Sequence, residues 1–149
     1  MWSPVLILLA MTAFAGCASV GGCLYEFLVL DPVWPIRPAI VQPRHGGVSR
    51  GRFWMPAHGA FEVVLVASLA ATWGQHDVRT ALLVALVSHL AMRVWSFVDF
   101  IPKAAAFERA DPATVDRADA ERWARRSLLR LPLDAIACAA VLTALVAAA

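Results

Sequence analysis

Charge is scarce in this chain. Only 16% of its 149 residues are Asp, Glu, Lys or Arg, against 60% hydrophobic, and the mean hydropathy is +0.67. Soluble domains carry about 25% charged residues, so the shortage excludes an ordinary soluble globule and a disordered chain. A basic face is also missing. The 13 Lys+Arg stand against 11 Asp+Glu, and the aromatic residues lie in apolar context, which excludes nucleic acid as a partner. Cys17, Cys23 and Cys138 fall in apolar runs and form no CxxC pair, so the pattern supports small packing residues and no disulfide framework. Period-two alternation is absent, which argues against a membrane β-barrel. No Lys or Arg precedes the first apolar run, so the n-region of a secretory signal is missing. The lipobox-like Phe14-Ala15-Gly16-Cys17 is therefore read as part of a retained first helix.

What is there is apolar length. Four runs stand out, at residues 3–30, 56–73, 79–101 and 128–148. Each is near the ~20 residues that cross about 30 Å of hydrocarbon as a helix. The sequence predicts an all-α protein, a bundle of four transmembrane helices forming one membrane domain over residues 1–149. Asp31-Pro32 stops the first run and Pro102 the third; Pro56 suits the first turn of the second, with Gly74 beyond its end. Most of the six tryptophans lie near run ends, as interfacial belts require.

The connecting segments are unequal. Residues 31–55 contain Arg37, Arg44, Arg50 and Arg52 and are broken by prolines. Residues 102–127 are the most charged segment, with six basic and five acidic residues, and read as a solvated helix opened by Asp111-Pro112. These two loops share a side and carry ten basic residues, whereas the opposite side has only Arg79. The positive-inside rule puts both loops in the cytoplasm and both termini outside, as in a bacterial inner membrane.

Ionisable groups inside spans cost about 2.5–3.5 kcal/mol each near the bilayer centre, and here they concentrate at one depth. Glu26 ends the first span. His58 and Glu62 open the second, four residues apart and so on one helix face. His89, Arg93 and Asp99 occupy the end of the third; Arg130 and Asp134 begin the fourth. All lie in the cytoplasmic half, and four helices turning such faces inward would build one site. Two chemistries fit. Glu26, His58, Glu62 and His89 form a ligand set suited to a redox metal, iron or copper. Alternatively, His58 or His89 accepts a proton while Arg93 or Arg130 steadies a developing anion and Asp134 completes the polar set, with dioxygen as co-substrate. Phe27, Phe61, Trp95 and Phe97 are the candidate lining for a lipophilic substrate. His58 and His89 as axial ligands of a b-type haem are a further option. Compensating pairs, Arg93–Asp99 or Arg130–Asp134, are the purely structural account of the charged residues.

Three segments resemble the anthrone-oxygenase-like family of small four-helix membrane proteins. They are Gly21-Gly22-Cys23-Leu24-Tyr25-Glu26 followed by Asp31-Pro32-Val33-Trp34, then Val98-Asp99-Phe100-Ile101-Pro102-Lys103, and Trp123 followed by Arg126 and Arg130. The resemblance implies a four-helix membrane fold and, for some members, oxidation of a polycyclic phenolic ketone by dioxygen. It assigns no residue roles, because the family's Asn positions have no counterpart in a chain without Asn. The functional expectation is an integral membrane oxidoreductase of oxygenase type acting on a lipophilic, aromatic substrate. The alternative is a non-enzymatic membrane subunit or a small proton- or ion-coupled transporter, for which Ala15, Gly16 and Ala18 would support homo-oligomer packing.

Overall fold

The computed structural model describes residues 3–149, and over these the chain is an all-α bundle built on four membrane-length helical rods. Helix α1, Pro4–Tyr25, starts where the Ser3 side chain accepts the Leu6 N–H at 3.2 Å, with Pro4 in the first turn. It runs on into a π turn, Glu26–Leu30, closed by the Asp31 N–H donating to the Glu26 carbonyl at 2.7 Å. Helix α2 spans Gly51–Ala71. Helix α3, His76–Trp95, passes through a second π turn, Ser96–Phe100, into α4, Ile101–Arg109. Helix α5, Arg117–Ser127, leads through a 3₁₀ turn, Leu128–Arg130, into α6, Leu131–Ala148. The four rods are long and apolar enough to cross a membrane, and the chain is an integral membrane protein.

The prolines sit differently from the sequence reading. Pro56 lies inside α2, which begins five residues earlier than the predicted residue 56. As the sixth residue it lies past the turn whose N–H groups have no helical partner, so it forfeits a full backbone hydrogen bond, the one to the Arg52 carbonyl. Pro102 does not stop the third rod. The preceding π turn already directs the Ile101 N–H five residues back to Ser96, so a residue without an N–H fits at the start of α4. Asp111-Pro112 opens only a 3₁₀ turn, Pro112–Thr114; Asp116 is the cap that starts α5, accepting the Ala118 N–H at 3.0 Å.

Helix α6 packs most extensively on α3 and then on α1, and α1 also packs on α2. Helices α2 and α3 touch sparsely, although a tight turn joins them. Two cores result. In the half away from the charged segments, Leu9, Ala13, Leu65, Leu82, Ala137 and Val141 form an apolar cluster. At the other end the predicted solvated loops fold onto an aromatic core of Trp34, Phe100, Phe107 and Trp123, with ring centroids 5.2–6.2 Å apart. Gln42, fully buried, ties residues 31–50 to this core. Its Nε2 donates to the Phe107 carbonyl at 2.7 Å and the Ala110 carbonyl at 3.1 Å, satisfying acceptors that the end of α4 leaves open.

Candidate functional site

Helix α2 presents Arg50, Trp54, His58 and Glu62 at four-residue intervals, so from its N-cap onward one stripe faces the bundle. The stripe's far end meets α3. Glu62 Oε1 accepts from Arg93 Nε at 2.8 Å and lies 3.2 Å from His89 Nε2. With Glu62 ionised, His89 donates through Nε2. The His89 ring is 1% exposed, takes Phe61 edge-on at 4.8 Å, and has the His58 ring 5.5 Å away. His58 in turn stacks on Trp54 at 5.2 Å, with ring planes 21° apart. Its Nδ1 is buried without a hydrogen-bond partner among the described residues.

A cavity of about 210 Å³ opens beside this stripe, among α1, α2, the α3–α4 rod, α5 and α6. Its polar wall includes His58, Arg50, Arg93, Arg130, Asp134 and Cys23; Trp54, Phe100 and Trp123 supply aromatic surface. Arg130 donates to Ser96 Oγ at 2.8 Å and lies 4.3 Å from the Phe100 ring centre. Asp134, 5% exposed, is in contact with Cys23 Sγ at 3.5 Å. Glu26 accepts the Trp54 indole N–H at 2.9 Å.

Of the predicted set, the structure therefore brings Glu62, His89 and Arg93 into one hydrogen-bonded cluster with His58 beside it. Glu26, His58, Arg93, Arg130 and Asp134 all line the cavity, whereas His89 and Glu62 stand behind its wall. Among the described residues no three His, Cys, Asp or Glu side chains are arranged to hold a metal ion. Glu26 is engaged by Trp54, and Glu62 by Arg93 and His89. Neither candidate pair forms: Arg93 bonds Glu62 and Asp99 bonds Arg126, while Arg130 turns to Ser96 and Asp134 to Cys23, 3.5 Å or less away in each case.

None of Phe27, Phe61, Trp95 and Phe97 lines the cavity. Phe27 and Phe97 are exposed on the bundle's outer surface, Trp95 packs on Phe100, and Phe61 belongs to the apolar core. The two π turns are the reason for Phe27 and Phe97. Each adds a residue to one helical turn and rotates the downstream side chains away from the face that a regular α-helix predicts.

Three participants are not evident from sequence. Trp34 and Trp123 form a corner, 5.8 Å apart and nearly perpendicular, with the Arg50 guanidinium over both rings at 5.1 and 4.8 Å. Arg50 reads in sequence as one of four loop arginines. The four-residue spacing to Trp54 and His58 would single it out, but only once α2 is started at Gly51. Beside this corner, Asp31 accepts the Trp34 indole N–H at 3.0 Å. Burial and the neighbouring Glu26 charge push its carboxyl up to about 6, against the pull of Trp34, Arg50 and Arg130.

No family model, curated protein or solved structure matches the chain.

Proposed function

We propose that the chain is a membrane-embedded oxidoreductase of oxygenase type, acting in the cytoplasmic half of the bilayer on a lipophilic substrate with an acidic C–H bond. The observation that carries this reading is His58: a buried imidazole on a cavity wall, its ring held by Trp54, its Nδ1 without a partner among the described residues. A neutral imidazole in that position is a proton acceptor. His58 Nδ1 takes the substrate proton, and Arg130 and Arg93 offset the charge on the resulting carbanion. The carbanion's electrons pass to dioxygen, forming a C–O bond; the resulting peroxide anion takes the proton back from His58, and the hydroperoxide loses water to leave a carbonyl. Glu62 and Phe61 fix His89, and His89 with Trp54 fixes the space that His58 occupies. The positive-inside rule places the charged loops, and with them the cavity, on the cytoplasmic side of the inner membrane with both termini outside.

A dead-end site is favoured over a conduit. Towards the opposite side the bundle interior is Leu9, Leu65, Leu82 and Val141, and the hydroxyls of Thr12, Ser68 and Thr72 are spent on one another or on helix carbonyls.

The test is dioxygen consumption by the full chain in bilayer discs, with lipophilic compounds whose methylene lies between an aromatic ring and a carbonyl. Wild-type protein is expected to consume oxygen, and His58→Gln to lose about 100-fold or more of the rate while still folding and inserting. An unchanged rate in His58→Gln, or no uptake by wild-type protein with any such compound, overturns the reading.

A further inference from the structure

The start of α2 presents a second feature that proton transfer does not use. Arg50, the N-cap residue, is 8% exposed, and neither of its terminal nitrogens, Nη1 and Nη2, has a hydrogen-bond partner among the described residues. Its positive charge is met by two indole faces and by no ion pair among the described residues. The rings are themselves pinned, since Trp34 donates to Asp31 and Trp123 to the Phe100 carbonyl at 3.3 Å. They cover the guanidinium without satisfying its N–H groups, and unsatisfied charged donors away from water are costly.

Independently, α2 begins with no side-chain cap. The Arg52 and Phe53 N–H groups donate to the Ser49 and Arg50 carbonyls at 3.2 and 3.1 Å, which leaves the Gly51 N–H, at the positive end of the helix dipole, without an acceptor among the described residues. Gly51, at that end, lines the same cavity as Arg50, and a Cβ added there would meet nothing closer than Ser49 Oγ at 3.7 Å. The free Gly51 N–H of a helix without a side-chain cap and an unpaired guanidinium thus converge on one stretch of cavity wall. Both features want the same partner, a negatively charged oxygen group.

The acids on the wall do not fill that role. Glu26 is bonded to Trp54, Asp134 is in contact with Cys23, and Glu108, half-buried on the same wall, forms no ion pair with Arg50. From Arg50 the cavity continues along Met55, Ile101, Ala104 and Ala105, between α2 and α4. Met55 and Ile101 are 67% and 40% exposed, so this wall runs out to the surface of the bundle.

We propose that the cavity takes an amphiphile with an oxyanion head, a carboxylate or phosphate monoester, seated on Arg50 and the α2 N-terminus with its apolar chain leaving between α2 and α4. The proposal rests on reading the cavity as the ligand site, but it requires no reaction there.

The test is ligand binding by the full chain in discs of neutral lipid, read by tryptophan fluorescence. The probes are dodecanoate, dodecyl phosphate, dodecan-1-ol, acetate and inorganic phosphate. Dodecanoate or dodecyl phosphate is expected to bind saturably, with dodecan-1-ol at least about tenfold weaker, the loss of a charge-assisted pair. Arg50→Met should erase the preference, and Arg52→Met, at an exposed neighbour, should keep it. Which head binds tighter identifies the carboxylate or the phosphate. Dodecan-1-ol binding as tightly as the anions overturns the proposal on wild-type protein alone, whatever the fate of the variants. Equal loss in Arg52→Met reduces the effect to surface charge and also overturns it. Acetate or inorganic phosphate binding as tightly as the chain-bearing probes removes the amphiphile. Anion-selective binding in a protein with no oxygen uptake would sink the catalytic reading and leave this one standing. Turnover without anion selectivity would do the reverse.

Discussion

At one end of the bundle Leu, Ala and Val side chains of four helices meet with little else. At the other, four aromatic rings, a buried Gln and a buried Arg hold two loops and two short helices over the helix ends. Lipid tails are as apolar as leucine, so the first region gains no hydrophobic drive from associating and depends on close packing. Gly16 is an example: a Cβ there would lie 3.3 Å from the Phe61 ring. The second region reaches water, and its rings are driven together as in a soluble core. The two ends should therefore respond differently to the same kind of truncation.

The largest effect is expected from Trp123→Ala. It removes a 5%-exposed ring that touches Trp34, Phe100 and Phe107, and deletes one wall of the Arg50 corner. A loss of about 3–5 kcal/mol is expected, both transfer and cavity terms applying. Leu65→Ala, at a fully buried position in the apolar cluster, should cost roughly 2 kcal/mol, the cavity term without the transfer term. Unfolding in mixed micelles followed by circular dichroism compares them. Equal losses would mean that both ends are held by one mechanism.

A smaller effect separates the two ends by pH. The Asp31 carboxyl is pushed up to about 6 from an ordinary 3.8, so between those values the folded chain holds a proton that the unfolded chain has released. Stability contributed through Asp31 therefore falls as pH rises from about 4 to about 6 and is level above that. Asp31→Asn keeps an acceptor for the Trp34 N–H and cannot ionise. It should flatten this slope and stabilise the protein at pH 7 by on the order of 2 kcal/mol. An unaltered slope in the variant would assign the pH dependence to other groups.

The bundle itself is legible in the sequence because four apolar runs of membrane length allow few other structures. The concentration of Glu26, His58, His89, Arg93, Arg130 and Asp134 at one depth is legible for the same reason: charges stand out against hydrocarbon. The aromatic cap is not. Trp34 and Trp123 are 89 positions apart, and nothing in the proline-broken segment around Trp34 announces that Gln42 will tie it to α4. Arg50 and Arg52 differ only in burial, which is a property of the assembled cap. The π turns are equally silent, and they decide which aromatic residues face inward.

The smallest expected effect tests the apolar end on its own terms. Thr12 Oγ1 lies 2.8 Å from Ser68 Oγ and 3.1 Å from the Val64 carbonyl, joining α1 to α2 across an otherwise hydrocarbon interface. In water, breaking a buried hydroxyl pair leaves a partner to be desolvated unpaired, at about 1–3 kcal/mol. Within a bilayer the separated helix has no water to turn to, and each hydroxyl can fall back on its own helix, as Thr12 already does towards the Leu8 carbonyl at 2.9 Å. Reference and native states then differ little, and the coupling between Thr12→Val and Ser68→Ala in a double-mutant cycle should be about 0.6 kcal/mol. A coupling above about 2 kcal/mol would show that this end, too, is held by its polar contacts, and the contrast with the aromatic cap would lose its physical basis.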